Sequence, residues 1–100
     1  MSEAEIDAAL GGLPGWLARD VSGRGWVMEK EFRFSGFVPA FAFMTAVAMK
    51  AEKMNHHPEW SNVYSTVRML LATHDASGVT ELDIELARFA NDVATTTSSS

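Results

Sequence analysis

The spacing of apolar and polar residues predicts an alternation of helices and strands along the chain. Helical spacing recurs in three segments. The first follows Ser2, has an apolar face of Ile6, Ala9, Leu10 and Leu13, and is stopped by the Gly and Pro residues of 11–15. The other two span about residues 37–54 and residues 79–94. Alternation typical of strands recurs in three more, residues 15–21, 26–34 and 60–73. The last of these fits either one long strand or two short strands joined at 64–66. With two strands there, the order α-β-β-α-β-β-α indicates an α+β domain whose three helices pack on one face of a four-stranded antiparallel sheet.

Two helix starts carry recognisable capping residues. Ser2 precedes acidic residues at Glu3 and Glu5, which suits an N-cap and the positive end of the helix dipole. Thr80 and Asp83 fit an N-cap and its partner three residues later, with Asp in place of the usual Glu. On this pattern alone, Asp83 is a helix-start residue.

The long helix over residues 37–54 is apolar nearly all round. One stripe contains Phe37, Phe41, Met44, Ala48 and Ala51; Ala40, Phe43, Val47 and Met54 widen it, and Ala42, Ala46 and Met49 lie elsewhere. Such a helix is usually covered on more than one side, so either a second subunit covers it or it presents a wide core-facing stripe and some exposed alanines. The last helix has its predicted core positions at Leu82, Leu86, Phe89 and Val93.

Composition narrows the class of partner. Eight basic and thirteen acidic residues give a net charge of −5, and the isoelectric point is near 5.0. Phosphate backbones and anionic lipids both require a basic footprint, so we expect neither nucleic acid nor membrane as a partner. The absence of cysteine excludes disulfides and thiolate metal ligands.

Length and the two termini indicate one cytoplasmic domain. Residues 1–94 form a single predicted domain, and residues 95–100 are a Ser/Thr tail that we expect to be disordered. The first thirteen residues are acidic and lack the basic start of a signal peptide. The longest apolar stretch, residues 38–49, is shorter than the roughly 20 residues that cross a bilayer.

The three histidines are the main candidates for chemistry. His56 and His57 are adjacent at the predicted end of the long helix, and His74 follows the next strand region. Imidazole exchanges protons near neutral pH, so these groups suit acid and base catalysis on a small polar substrate. Glu52, four residues before His56, is placed to orient it, which favours this interpretation.

Two other interpretations of the histidines stay open. Three histidines can hold zinc with one open position, although adjacent histidines and this spacing are not typical of zinc sites. Alternatively, His56 can cap the long helix, where a positive charge complements the helix dipole.

Several motifs together resemble the pterin-4a-carbinolamine dehydratase family. They are Ala-Glu-Lys-Met-Asn-His-His-Pro-Glu-Trp at 51–60, Asn-Val-Tyr at 62–64, Thr-His at 73–74, Gly-Val-Thr at 78–80, and Asp83. The resemblance extends over about residues 10–94. That family includes the dimerisation cofactor of a homeodomain transcription factor.

The resemblance implies a hydro-lyase that dehydrates 4a-hydroxytetrahydrobiopterin to quinonoid dihydropterin and water. Such an enzyme supports tetrahydrobiopterin recycling beside an aromatic amino-acid hydroxylase, and it needs no metal or organic cofactor. It is expected to be a homodimer or homotetramer that associates through the long helix. The alternative function is a non-catalytic oligomerisation or regulatory module that binds a transcription factor or a hydroxylase.

The resemblance also assigns residues to roles. It implies acid and base groups at His56, His57 and His74, with Glu52 supporting them. The substrate-binding residues it implies are Asn55, His56, His57, Pro58, Trp60, Thr73, His74, Asp75 and Asp83. One departure is that position 55 is Asn, where some family members have Asp, so a carboxylate is missing there.

Overall fold

In the part of the chain that the structure describes, three helices and four strands follow one another in the order α-β-β-α-β-β-α, which confirms the predicted α+β fold. The structure is a computed structural model, and it describes residues 1–73 and 78–97. The elements are α1 (Glu3–Leu10), β1 (Leu17–Val21), β2 (Gly25–Arg33), α2 (Phe37–Met54), β3 (Glu59–Val63), β4 (Thr66–Leu71) and α3 (Glu81–Thr97). All strand pairs are antiparallel, and the order across the sheet is β1-β2-β4-β3.

The register of β2 and β4 separates a core face from a polar face. Met28 lies opposite Leu71, and Phe32 lies opposite Val67, with all four side chains buried. The neighbouring pair Glu31 and Arg68 belongs to the other face. Because alternate residues of a strand point to opposite sides, this register explains the alternation seen in the sequence. Buried residues of the helices join the same apolar core.

A tight turn divides residues 60–73 into two strands, β3 and β4. Tyr64 in this turn has a φ of 53°, in the left-handed region. The side-chain amide of Asn62 donates hydrogen bonds to the carbonyl oxygens of Tyr64 (3.1 Å) and Thr66 (3.0 Å). These bonds hold the turn, so the hairpin is the correct choice between the two strand arrangements.

Helix α2 buries only one of its apolar stripes. The buried residues are Ala40, Phe43, Val47 and Ala51. The other side, which we call the outer face of α2, exposes Phe37 (46%), Val38 (76%), Phe41 (54%) and Met49 (70%). Of the predicted stripe, Phe37 and Phe41 are therefore exposed, whereas Ala51 is buried in the core. Within residues 1–73 and 78–97, no helix has the length and apolar content required to span a membrane.

Helix α3 differs from its prediction at both ends. It begins at Glu81 and continues to Thr97, so residues 95–97 are helical rather than part of a disordered tail; residues 98–100 lie outside the described part of the chain. Leu82, a predicted core position, is 41% exposed, whereas Asp83 is fully buried. The carboxylate of Asp83 is turned inward because it accepts hydrogen bonds from three partners in the interior.

Candidate active site

The two adjacent histidines after the end of α2 lie in different environments. Asn55 follows the helix with φ 53° and ψ 42°, a left-handed conformation that Asn adopts more easily than most residues. The backbone N–H of His56 then donates to the carbonyl oxygen of Ala51 at 3.0 Å. His56 is buried, whereas the side chain of His57 is 58% exposed. One imidazole therefore belongs to the interior and the other to the surface.

His56 contacts a carboxylate that is fully buried at the start of α3. Its Nε2 lies 2.6 Å from Oδ1 of Asp83. The other carboxylate oxygen of Asp83 accepts hydrogen bonds from the hydroxyl of Thr73 (2.8 Å) and from the backbone N–H of Thr80 (2.9 Å). Three donors thus converge on one buried side chain, which satisfies the hydrogen-bonding requirement of a polar group removed from water.

The directions of these hydrogen bonds follow from which groups can donate. An ionised carboxylate only accepts, so Nε2 of His56 carries the hydrogen that it shares with Asp83. The hydroxyl proton of Thr73 is used on Asp83, so in the 2.8 Å contact between Thr73 and Thr80 the hydroxyl of Thr80 is the donor. Neutral His56 consequently leaves its Nδ1 without a hydrogen, as a potential proton acceptor.

Asp83 holds together the segments that carry the predicted site. His56 follows α2, Thr73 follows β4, and Thr80 precedes α3. Thr73 also pairs with Gly78 through two backbone hydrogen bonds, of 2.7 and 3.3 Å. The predicted site residues His74 and Asp75 lie between these two and are outside the described residues, as is any zinc site that includes His74.

Glu52 contacts His57 and not His56, which corrects the prediction made from the spacing of four residues. Its Oε1 lies 2.8 Å from Nε2 of His57, and its side chain is 81% exposed. The spacing of four places two residues together only while the helix continues. Here α2 ends at Met54, so His56 leaves the helical path and turns inward.

The other predicted site residues have mainly structural positions. Asn55 is the C-cap of α2, Pro58 is half-buried between α2 and β3, and Trp60 lies in β3 opposite Met69 and packs against the core. Asp83 is fully buried and contacts His56 and the two threonines. The capping prediction is also correct, because the carboxylate accepts the backbone N–H of Thr80.

Arg24 is a residue of this region that sequence reasoning missed. From the β1–β2 turn, its guanidinium donates to both carboxylate oxygens of Glu59, one of them at 3.1 Å. These hydrogen bonds raise the pKa of Arg24. Glu59 is two residues after His57, so the contact ties the histidine segment to a turn 35 residues away in sequence.

The site therefore offers two imidazoles with different chemical properties. His56 has its orientation and tautomer set by Asp83, in the interior. His57, beside the exposed Glu52, can exchange protons with solvent and with a ligand. This is a suitable arrangement for moving protons on a small substrate without a covalent intermediate.

Comparison with known proteins gives consistent results. Residues 1–93 match the family model described as pterin 4 alpha carbinolamine dehydratase. A protein of Bradyrhizobium diazoefficiens, provisionally named a pterin-4-alpha-carbinolamine dehydratase, is 59% identical over 86% of this chain and 83% of its own length. A Rhizobium leguminosarum protein with the same provisional name is 51% identical over 88% of this chain and 84% of its own length.

Solved structures resemble the chain in the same way. The crystal structure of a transcriptional coactivator/pterin dehydratase from Brucella melitensis has a TM-score of 0.85 and 47% identity, covering 94% of this chain and 97% of its own. A pterin dehydratase-like RuBisCO assembly factor of the alpha-carboxysome has a TM-score of 0.68 with 20% identity, over 83% of this chain and 93% of its own, and shows a shared fold alone.

Proposed function

Because this chain belongs to the pterin 4 alpha carbinolamine dehydratase family, we propose that it dehydrates 4a-hydroxytetrahydrobiopterin to quinonoid dihydropterin and water. The observation that carries the proposal is the pair of adjacent imidazoles, one fixed by a buried carboxylate and the other exposed beside Glu52. The likeness to a pterin dehydratase structure at 47% identity supports it further.

The reaction requires two proton transfers and no change of oxidation state. A base removes the proton from N5 of the pterin, and the N5–C4a double bond forms as the C4a–O bond breaks. An acid protonates the departing hydroxide, which leaves as water. Positioned side chains with pKa values near the working pH accelerate such steps by about 10²–10⁴-fold.

The environments of the histidines support distinct roles. His57 is the exposed imidazole, so we assign it to direct proton exchange with the substrate, with Glu52 stabilising its protonated form. His56 is buried and held by Asp83, so it acts as a positioning residue whose Nδ1 can accept a hydrogen bond. His74 completes the set by its place directly after Thr73, which Asp83 anchors.

We expect the reaction to proceed without a metal or an organic cofactor, because imidazoles can carry both proton transfers. The functional partner that this chemistry implies is an aromatic amino-acid hydroxylase, which generates the 4a-hydroxy compound. The enzyme would then return the pterin to the recycling pathway in the cytoplasm. Dialysis against a chelator should leave the rate unchanged.

The test is the rate at which 4a-hydroxytetrahydropterin decays when a phenylalanine hydroxylase generates it. Wild type should accelerate the decay above the spontaneous rate, and His57→Ala should remove most of the acceleration. This substitution should not disturb the fold, because His57 is exposed and its hydrogen bond goes to an exposed carboxylate.

Lys53→Ala is the matched control, since Lys53 is an exposed residue of the same helix end and makes no ion pair within the described part of the chain. It should retain the wild-type rate. If wild type does not exceed the spontaneous decay, the dehydratase proposal is wrong. If His57→Ala is as active as wild type, the assignment of His57 is wrong.

A second candidate function is an oligomerisation or regulatory module that binds a transcription factor or a hydroxylase. The observation that favours it is the outer face of α2, where Phe41 and Met49 are more than half exposed. Exposed apolar surface of this kind marks association sites. We propose that a homodimer or homotetramer forms through this face.

Light scattering on wild type and Phe41→Arg tests that association. We expect wild type to be a dimer or tetramer and the variant to have a lower mass. Leu17→Arg, at an exposed leucine on β1, is the control and should keep the wild-type mass. A wild-type monomer, or an unchanged mass in Phe41→Arg, would exclude this face as the contact.

A further inference from the structure

A cavity of about 420 Å³ lies away from the histidines, between β2, the loop after α1 and the second half of α3. Its walls include the apolar residues Leu13, Phe32 and Phe34. It also contacts Asn91, which is eight residues, or about 12 Å along the helix, from Asp83. The cavity is therefore separate from the candidate active site.

Cations without a carboxylate partner are concentrated in this cavity. All eight lysines and arginines belong to the described residues, and five of them form ion pairs. The three that form none among those residues are Lys30, Lys53 and Arg88. Lys30 and Arg88 both line the cavity. This concentration of cations is unexpected in a chain of net charge −5, and it indicates a site that binds an anionic ligand.

Lys30 is held in place by neutral groups only. Its ammonium donates to the carbonyl oxygen of Pro14 and to Oδ1 of Asn91, each at 2.9 Å, and lies 4.6 Å from the centre of the Phe32 ring. Burial lowers the pKa of Lys30. A partly desolvated cation with no counter-charge is a costly arrangement that a bound anion relieves.

We propose that this cavity binds a small organic carboxylate, whose anionic end faces Lys30 and Arg88 and whose apolar body contacts Phe32 and Phe34. A guanidinium and an ammonium suit a carboxylate group, and the aromatic walls suit an apolar body. Asp92 also lines the cavity, and so do Glu31 and Arg33, whose charges offset each other in an ion pair of 2.7 Å. The charge of Asp92 repels a phosphate dianion more strongly than a carboxylate monoanion, which favours the carboxylate.

Titration with benzoate, followed by the amide and lysine signals in NMR spectra, tests the proposal. Benzoate should cause saturable shifts at Lys30, Phe32 and Asn91 and should raise the pKa of Lys30. Benzamide, its neutral analogue of similar shape, should cause little shift at the same concentration. Inorganic phosphate should bind more weakly than benzoate.

Three substitutions make the test specific. Arg88→Gln should weaken benzoate binding about tenfold and should retain the fold, because the side chain is exposed and forms no ion pair among the described residues. Lys30→Met should weaken binding at least as much. Lys53→Met removes the third unpaired cation, outside the cavity, and should leave binding unchanged.

Four outcomes would overturn the proposal. They are equal binding of benzamide, tighter binding of phosphate than of benzoate, unchanged binding in a folded Arg88→Gln protein, and an equal loss of binding in Lys53→Met. Because each readout measures binding directly, the result does not depend on whether the chain has dehydratase activity.

Discussion

Replacing Asp83 by Asn should move the ring hydrogen of His56 from Nε2 to Nδ1 while leaving the shape of the site intact. The backbone N–H of Thr80 can only donate, and it points at Oδ2 of Asp83. The amide oxygen of Asn must therefore take that position, and its NH₂ group must face Nε2 of His56. Since NH₂ donates, Nε2 must become the acceptor and the hydrogen must move to Nδ1.

The effect on stability follows from the three hydrogen bonds of the carboxylate. Bonds to a charged group contribute about 1.5–3 kcal/mol each and neutral ones about 0.5–1.5 kcal/mol. The amide keeps all three contacts as neutral bonds and removes the desolvation of a buried charge, so we expect a net loss of about 1–3 kcal/mol. In a domain of this size, that lowers the melting temperature by roughly 5–15 °C. Asp83→Ala should cost more, about 3–5 kcal/mol, because it leaves buried partners unsatisfied.

The assay combines nitrogen NMR of the imidazole with the rate of pterin dehydration. In Asp83→Asn, Nε2 should lose its hydrogen, and kcat should fall about 10²-fold or more with a smaller change in KM. Glu52→Gln makes the matching change at exposed His57 and should alter stability by no more than about 0.5 kcal/mol. Retention of the hydrogen on Nε2 in the folded variant would refute the assignment of donors at Asp83. Wild-type activity with a reversed tautomer would refute the role of His56.

Three further predictions concern the rest of the fold. The backbone N–H and the hydroxyl of Ser2 lower the pKa of Glu5 below its usual 4.5. The stability that Glu5 adds is therefore complete above pH 4.5 and is lost as the pH falls through the lowered value. The free energy of unfolding should depend less on pH in this range in Glu5→Gln than in wild type, and equal slopes would contradict this. Arg24→Met should raise KM more than it lowers kcat, because it frees the segment that ends at Glu59, whereas Arg19→Met, which breaks an exposed pair with Glu29, should change neither. Tyr64 is exposed and has a φ of 53°, a conformation that Gly adopts more easily. Tyr64→Gly should therefore stabilise the domain by up to about 1 kcal/mol, measured by urea unfolding. A loss of stability would show that the Tyr64 side chain contributes more to the free energy of unfolding than the relief of backbone strain does.

Periodicity was sufficient to predict the elements and their order, since alternation and helical spacing report directly on which residues face a core. It was not sufficient to orient α2. Both Phe41 and Phe43 belong to apolar stripes, so hydrophobicity alone could not decide that only Phe43 is buried. In α3, periodicity predicted Leu82 and not Asp83 as a core position. The inward position of the Asp83 carboxylate could not be predicted in this way, because it depends on hydrogen-bond partners from other segments.

The candidate site shows the same limit. The importance of the adjacent histidines was evident from the sequence, but their opposite environments depend on the backbone of one residue, Asn55. Asn is among the few residues that readily adopt a left-handed conformation, so a signal was present at the helix end. The contact between Arg24 and Glu59 had no such signal, because its partners are 35 residues apart.

One side chain, that of Asp83, both caps α3 and holds the ring of His56. A substitution of Asp83 that makes the start of α3 more stable therefore also changes the hydrogen bond to the imidazole of His56, so it cannot leave the site unchanged. The cap of α1 is free of this constraint, since the hydrogen bonds between Ser2 and Glu5 involve no site residue. Sequence drift and engineered stabilisation should therefore be tolerated at the first helix and strongly restricted at the third.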